Sequence, residues 1–300
     1  MIMVSAVFAL AIMLTIIFAN SQFVARDKTN AKQIQDETQF ETKLRPPDKG
    51  IYHGAFPNFG GTEDAVRAHN INNFESMLGK KIVWAMLSNN WSAEGIKFPE
   101  KSVKIVHSLG IIPFIRMMPR IDFREGELDS KYTLRHIIDG NFDGELRKWA
   151  SDAKRLKIPM VVEFGPEMNG DWFPWSGILN GGGKRDAYGD AKYVDGPERF
   201  KDAYRHIINL FKKQGVHNIT WAFHAFPPLE KNEDSELYKK WNNIKNYYPG
   251  DDYIDWIGLS VYGAVEPDSE WTSFTEILDK AYPVIAGISA DKPLAVFEFG

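Results

Sequence analysis

From Ile51 onward, the apolar positions of this 300-residue chain follow two alternating rhythms. Short runs rich in β-branched and aromatic residues recur at 51–56, 81–87, 111–117, 159–165, 218–224, 254–261 and 293–299, each the length of a strand. Between them, apolar residues return every three or four positions. Phe142, Leu146, Trp149, Ala150, Ala153 and Leu156 share one helical face. Phe200, Ala203, Tyr204, Ile207, Ile208 and Phe211 share another, with Pro197 at its start and Gly215 at its stop. Pro283 interrupts a third pattern between Ile277 and Ile288 and predicts an end or a kink there. Strands alternating with helices predict a parallel sheet with crossover helices. Seven of them predict an α/β protein with a (β/α)8 TIM-barrel fold, lacking the eighth βα unit because the chain stops two residues after Glu298. A doubly wound open sheet is the alternative, but no glycine-rich dinucleotide fingerprint follows the first strand.

The N-terminus departs from this pattern. Residues 1–19 are almost wholly apolar, and Arg26 is the first charged residue. Residues 1–25 predict a signal peptide or a membrane anchor, with small residues Ala19 and Ser21 placed for cleavage after Ser21. Arg26, Lys28 and Lys32 lie on the C-terminal side of this segment and weakly oppose export. An extracytoplasmic protein, secreted or membrane-anchored, is nevertheless the expectation. Residues 26–48 are polar and predict a linker, leaving 49–300 as the C-terminally incomplete barrel domain.

Composition narrows the chemistry. A net charge of −4 without a dense basic patch argues against nucleic acid as partner. The absence of cysteine excludes disulfides, thiolate metal sites and a cysteine nucleophile. The histidines show no metal-ligand spacing, and no Gly-x-Ser-x-Gly elbow occurs. Gly181-Gly-Gly-Lys184 lacks the spacing of a phosphate-binding loop and reads as a flexible rim loop. Aromatics make up 13% of the chain, enough for a large core or for a sugar-binding cleft.

Two glutamates carry the functional reading. Glu167 follows the fourth predicted strand and opens Glu167-Met-Asn-Gly-Asp-Trp-Phe-Pro-Trp175, and Glu298 ends the seventh. Barrel enzymes place catalytic groups at the C-terminal ends of their strands. With period-two alternation, Val161, Glu163, Gly165 and Glu167 share a face, as do Leu294, Val296 and Glu298. On inward faces, the two carboxyls converge at one mouth. A carboxyl pair beside indoles is the equipment of glycosidic bond cleavage, in which one acid protonates the leaving oxygen and the other attacks or stabilises the anomeric carbon.

The stretch from Glu167 to Trp175 resembles the acid/base motif of glycoside hydrolase family 26, the β-mannanase family of retaining (β/α)8 glycosidases, whose usual form is His-Glu-Met-Asn-Gly followed by Trp. The resemblance implies Glu167 as general acid/base, Glu298 as nucleophile, Trp172 beside the reacting sugar with Asn169 in the same motif, and Tyr262 as the tyrosine that hydrogen-bonds the nucleophile. No cofactor is implied, and the partner is a polysaccharide. Trp175, Trp221, His224 and Trp91 complete the candidate cleft, with Trp91 preferred to Trp84 as a sugar platform. Two positions depart from the family pattern: Pro166 stands where His is usual, and Glu163 where many members carry Arg. Glu163 is expected to form a buried ion pair with Arg116. The rival readings are a non-catalytic carbohydrate-binding barrel and a membrane-tethered component of exopolysaccharide assembly.

Overall fold

A computed structural model of the protein describes residues 43–60, 63–122, 124–227, 240–264 and 270–300. The expected leader, 1–25, lies outside the described residues, as does the expected linker up to Thr42. Seven strands form one parallel sheet in sequential order: β1 (Gly54–Ala55), β2 (Trp84–Asn90), β3 (Ile112–Met118), β4 (Met160–Phe164), β5 (Ile219–Ala225), β6 (Trp256–Val261) and β7 (Leu294–Phe299). Among the described residues, β1 and β7 are the sheet's edges and no eighth strand joins them. The fold is a (β/α)8-type barrel with seven of its strands present.

Helices α1 (Ala68–Leu78), α2 (Glu100–Ser108), α3 (Leu134–Ile138), α4 (Asp143–Leu156), α5 (Asp195–Lys213) and α6 (Phe274–Ala286) connect the strands, with a 3₁₀ turn at Ile244–Tyr247. Pro283 does not end α6. The helix continues to Ala286, and Pro283 C=O accepts from Gly287 N–H at 3.1 Å. No described helix is long and apolar enough to cross a membrane.

Period-two alternation sorts the side chains into two layers. Ile115, Met117, Met160, Val162, Phe164, Trp221, Phe223, Ile257 and Leu259 face outward and are covered by Leu146, Trp149 and Ala153 of α4 and by Phe200, Tyr204, Ile207 and Phe211 of α5. Trp84, Met86, Phe114, Val161 and Ala222 face inward and fill the lower barrel with Phe297. Leu44 closes that floor. Its N–H donates to Thr220 Oγ1 at 2.7 Å, and its carbonyl accepts from Trp256 Nε1 at 2.9 Å. Beside it, Lys43 pairs with Asp255 at 2.7 Å. Residues 43–48, assigned by composition to the linker, therefore begin the barrel body, because a single leucine finds an apolar floor to fill.

Candidate active site

Glu167 reaches the barrel mouth by a break in strand geometry. Strand β4 stops at Phe164, and Gly165 (φ 55°) and Glu167 (φ 55°) both adopt the left-handed conformation. A Cβ on Gly165 would lie 2.9 Å from Trp175 and 3.0 Å from Phe200, so glycine is needed there for space as well as for its φ. For Glu167 the conformation costs about 1–2 kcal/mol, the usual penalty for a residue with a Cβ. It is held by its own N–H, which donates to His224 C=O at 2.8 Å, and by Gly170 N–H on its carbonyl at 2.9 Å. The turn aims the carboxyl so that Oε1 accepts from Ser260 Oγ at 2.5 Å and Oε2 from Trp172 Nε1 at 3.1 Å.

Glu298 arrives by a second irregularity. The β6–β7 register runs Leu259 to Val296 and then Ser260 to Glu298, so Phe297 is an extra residue in β7. Phe297 packs inward against Phe114 and His224, with ring centroids 5.2 Å away from each, and Glu298 also turns into the barrel. The expected common face of Leu294, Val296 and Glu298 is thus not kept: Leu294 packs on the outer layer, and the bulge re-aims Glu298. Glu298 Oε2 accepts from Tyr262 Oη at 2.8 Å, as the resemblance implies for this tyrosine. Oε1 lies 2.8 Å from Arg116 Nη2, a charge contact rather than an aligned hydrogen bond.

Behind the two glutamates lies a buried polar network. Arg116 Nε donates to Glu163 Oε1 at 3.0 Å, the ion pair anticipated for Glu163. Glu163 Oε2 lies 2.8 Å from His224 Nδ1, and His224 Nε2 lies 2.9 Å from Ser260 Oγ. His224 belongs to the site as a buried bridge and not as a cleft-lining side chain. The network pushes the two glutamates apart in acidity. Burial raises the pKa of Glu167, and the nearby Glu298 carboxylate raises it further, outweighing His224, Ser260 and Arg116. Burial would raise Glu298 too, but Arg116, His224 and the Tyr262 hydroxyl prevail and hold it below the usual carboxylate range. Burial and the adjacent Glu298 raise the Tyr262 phenol, which keeps it a neutral donor.

Glu163, His224 and Glu298 bring ligand-type atoms within 4.8 Å of one another. The positive charge this cluster calls for is already present in Arg116, which contacts both carboxylates, and both His224 nitrogens are engaged. Arg116 thus takes the place of a cation in this cluster.

The aromatic candidates separate. Trp172 is half-buried, bonded to Glu167 and edge-on to Phe226 at 4.9 Å, at the mouth as expected. Trp175 is not a cleft wall. Only 1% of it is exposed, its indole N–H donates to Pro166 C=O at 2.7 Å, and it stacks on Phe173 at 4.4 Å. Trp91 is fully buried against Tyr132, Phe142 and Phe164, so it is core and not a platform. Trp221 lies three residues from the inward His224 and therefore faces out, onto Tyr204 and Phe211. Asn169 is buried and fastens the β4 turn to β5, with Nδ2 donating to Phe226 C=O at 2.9 Å and Oδ1 accepting from Phe226 N–H at 2.9 Å. The loop holding Gly181-Gly-Gly-Lys184 is packed against α5: a Cβ on Gly181 would lie 2.8 Å from Asp195.

Two mouth residues, Ser260 and Trp271, escape sequence reasoning, and Arg116 is anticipated only in part. Arg116 is recognisable as a lone charge in an apolar strand, but its contact with Glu298 is not. Ser260 carries no signal. Trp271, 70% exposed, lies flat on Gly263, where a Cβ would come within 2.6 Å of the ring; Gly263 directly follows Tyr262.

A seven-stranded parallel barrel carrying a split pair of glutamates at the C-terminal ends of β4 and β7 is the architecture of a barrel glycosidase. The chain belongs to glycosyl hydrolase family 26, whose sequence model matches residues 127–288, a span that includes Glu167, His224, Ser260 and Tyr262. Endoglucanase H of Acetivibrio thermocellus is 26% identical over 255 residues, covering 84% of this chain and 24% of that protein, so the chain spans about a quarter of this relative's length. Among solved structures, the Bacillus subtilis mannanase man26 superposes with a TM-score of 0.56 at 17% identity, over 83% of this chain and 71% of that one. The GH26 domain of the Prevotella bryantii endo-beta-mannanase/endo-beta-glucanase PbGH26-GH5A gives 0.56 at 19% identity, over 84% and 77%. At these identities the structural likeness speaks for the fold.

Proposed function

We propose that the protein is a retaining glycoside hydrolase acting on a β-linked polysaccharide, with Glu167 as acid/base and Glu298 as nucleophile. The observation that carries this reading is the opposite electrostatic setting of the two glutamates. Glu298 is ion-paired to Arg116 and stays anionic, ready to attack. Glu167 is buried, touches only neutral donors directly and retains a proton to higher pH, ready to give it. In the first step Glu298 bonds to the anomeric carbon while Glu167 protonates the departing oxygen. In the second, water attacks the glycosyl-enzyme with Glu167 as base, so the configuration is retained. Tyr262 and Arg116 hold the nucleophile, and the exposed faces of Trp172 and Trp271 offer surfaces for sugar rings.

The names of the relatives favour β-mannan or β-glucan as substrate. Pro166 cannot donate the hydrogen bond of the histidine usual before the acid, which argues for a specificity of its own. The apolar residues 1–19 support an extracytoplasmic site of action, secreted or membrane-anchored. Reducing-end release from β-mannan, glucomannan, mixed-linkage β-glucan and cellulose tests the reading, with the initial anomer followed by ¹H NMR. A β-anomer appearing first is expected; an α-anomer first, or no release from any β-glycan, contradicts it.

A further inference from the structure

The two oxygens of Glu167 meet different donors, and the protons available on the Oε1 side fix the state of His224. A serine hydroxyl carries a single proton. Ser260 directs it at Glu167 Oε1, so its Oγ must accept from its other neighbour, His224 Nε2 at 2.9 Å. That requires a proton on Nε2. Nδ1 faces Glu163 Oε2 at 2.8 Å, an acceptor, and requires one as well. With both nitrogens donating, the ring is an imidazolium. Burial opposes that charge, but Glu163, Glu298 and Glu167 raise the His224 pKa above its ordinary value. The charged groups facing the network are Glu163 from β4, Glu298 from β7, with Oε1 4.0 Å from Nδ1, and Arg116 from β3, which touches both carboxylates. Phe297 covers one side of the ring, and Tyr262, directly after β6, lies beyond Glu298.

We propose that Glu163, His224 and Ser260 form a positioning chain that keeps Oε1 of Glu167 an acceptor throughout the reaction, so that the catalytic proton is carried on Oε2, beside Trp172. This rests on Glu167 being the acid/base. In the first step the O–H bond at Oε2 breaks, the glycosidic oxygen takes the proton together with the electrons of its broken bond to the anomeric carbon, and Glu298 forms the new bond. In the second, Oε2 takes a proton from water as the water oxygen bonds to the anomeric carbon and Glu298 departs. No proton crosses Ser260 in either step. The chain stabilises the ionised form of Glu167 more than its acid form and partly offsets the upward push of burial and Glu298. Ser260 and His224 act through Glu167, without touching substrate.

The test compares Ser260→Ala and Ser260→Thr with the unaltered chain. It uses the pH profile of kcat/KM on whichever glycan is cleaved, a ¹³C NMR titration of the Glu167 carboxyl, and ¹⁵N NMR of His224 assigned by the signal lost in His224→Gln. Deleting the hydroxyl removes a donor to the carboxylate, so Ser260→Ala moves the Glu167 titration and the alkaline limb upward by about one pH unit. Ser260→Thr restores both. At pH 6 both nitrogens of His224 are protonated. An alkaline limb that stays in place while activity falls equally at every pH makes Ser260 mere packing and overturns the proposal. A His224 ring with one bare nitrogen overturns it too, since the proton would then belong on the Ser260 side. If the unaltered chain cleaves no glycan, the enzymatic reading fails on its own, while the carboxyl and ring-nitrogen titrations still decide whether Oε1 is held as acceptor.

Discussion

Replacing Arg116 by methionine leaves two carboxylates, Glu163 and Glu298, inside the barrel without the cation they share. All three side chains are largely buried, and the contacts are 3.0 Å and 2.8 Å long. Removing one partner of such a group costs about 3–5 kcal/mol, because the buried charge left behind loses its nearest counter-ion. That is a large share of a typical total of about 5–15 kcal/mol. Glu163 keeps His224 as a partner, so Glu298 takes most of the loss. The pH dependence has a definite sign. The pKa of Glu298 is held below its unfolded value, so its contribution is present above about pH 4.3 and lost as pH falls through the folded value. In Arg116→Met the largest of the influences that lower it is lost, and only His224 and Tyr262 remain to oppose burial. The variant's deficit is therefore greatest near neutrality and shrinks as pH falls into the carboxylate range.

Urea denaturation of the two proteins at pH 7 and pH 4.5 measures it. Adding Glu298→Gln to Arg116→Met removes the stranded charge and recovers stability at pH 7, a coupling between neighbours that separate effects could not produce. A deficit under about 1 kcal/mol at pH 7 would refute the buried-triad account, given the cost expected for a broken buried pair. So would a deficit equal at the two pH values, or a double variant no more stable than Arg116→Met.

Three other outcomes follow from the same geometry. Glu298→Ala abolishes turnover of every substrate, whereas Glu167→Ala retains activity on aryl glycosides with good leaving groups, as steady-state rates on a nitrophenyl series would show; equal loss in both contradicts the assigned roles. Trp172→Ala lowers kcat/KM at nearly unchanged Tm, while Trp175→Ala, which empties a filled core site, destabilises by about 3–5 kcal/mol in a denaturation assay. Trp271→Ala raises KM on long chains and not on a single-sugar aryl glycoside; an equal change on both would place the indole outside the cleft.

The barrel was legible because its strands follow the simple period-two and period-3.6 rules, and all seven appear near their expected positions. The site was legible where it rests on motif and strand ends. Glu167, Glu298, Trp172 and Tyr262 come together at the mouth, and Glu163 meets Arg116. What alternation misjudged is how the carboxyls arrive: Glu167 through two left-handed residues and Glu298 through the extra Phe297, both local departures from the period. The aromatics were harder. Trp172 and Trp175 occupy one loop, and only the partner of each indole N–H, Glu167 for one and Pro166 for the other, divides cleft from core. Those partners are set by how the chain folds back on itself and not by any period. The same holds for Trp91, for Ser260 and for Leu44, whose role depends on strands more than a hundred residues distant.

The central claim is that Glu298 forms a covalent bond to the sugar while Glu167 manages the proton. It is tested most directly by incubating the protein with a 2-deoxy-2-fluoro-β-glycosyl fluoride of the sugar that its preferred polysaccharide releases, followed by intact-mass and peptide mass spectrometry. A reactive leaving group lets the first step proceed, and the fluorine slows the second, so the intermediate accumulates. The account predicts one added glycosyl group, located on Glu298 and absent from Glu298→Ala. A label on Glu167 instead, or hydrolysis of the natural glycan with inversion and no label at all, would contradict it.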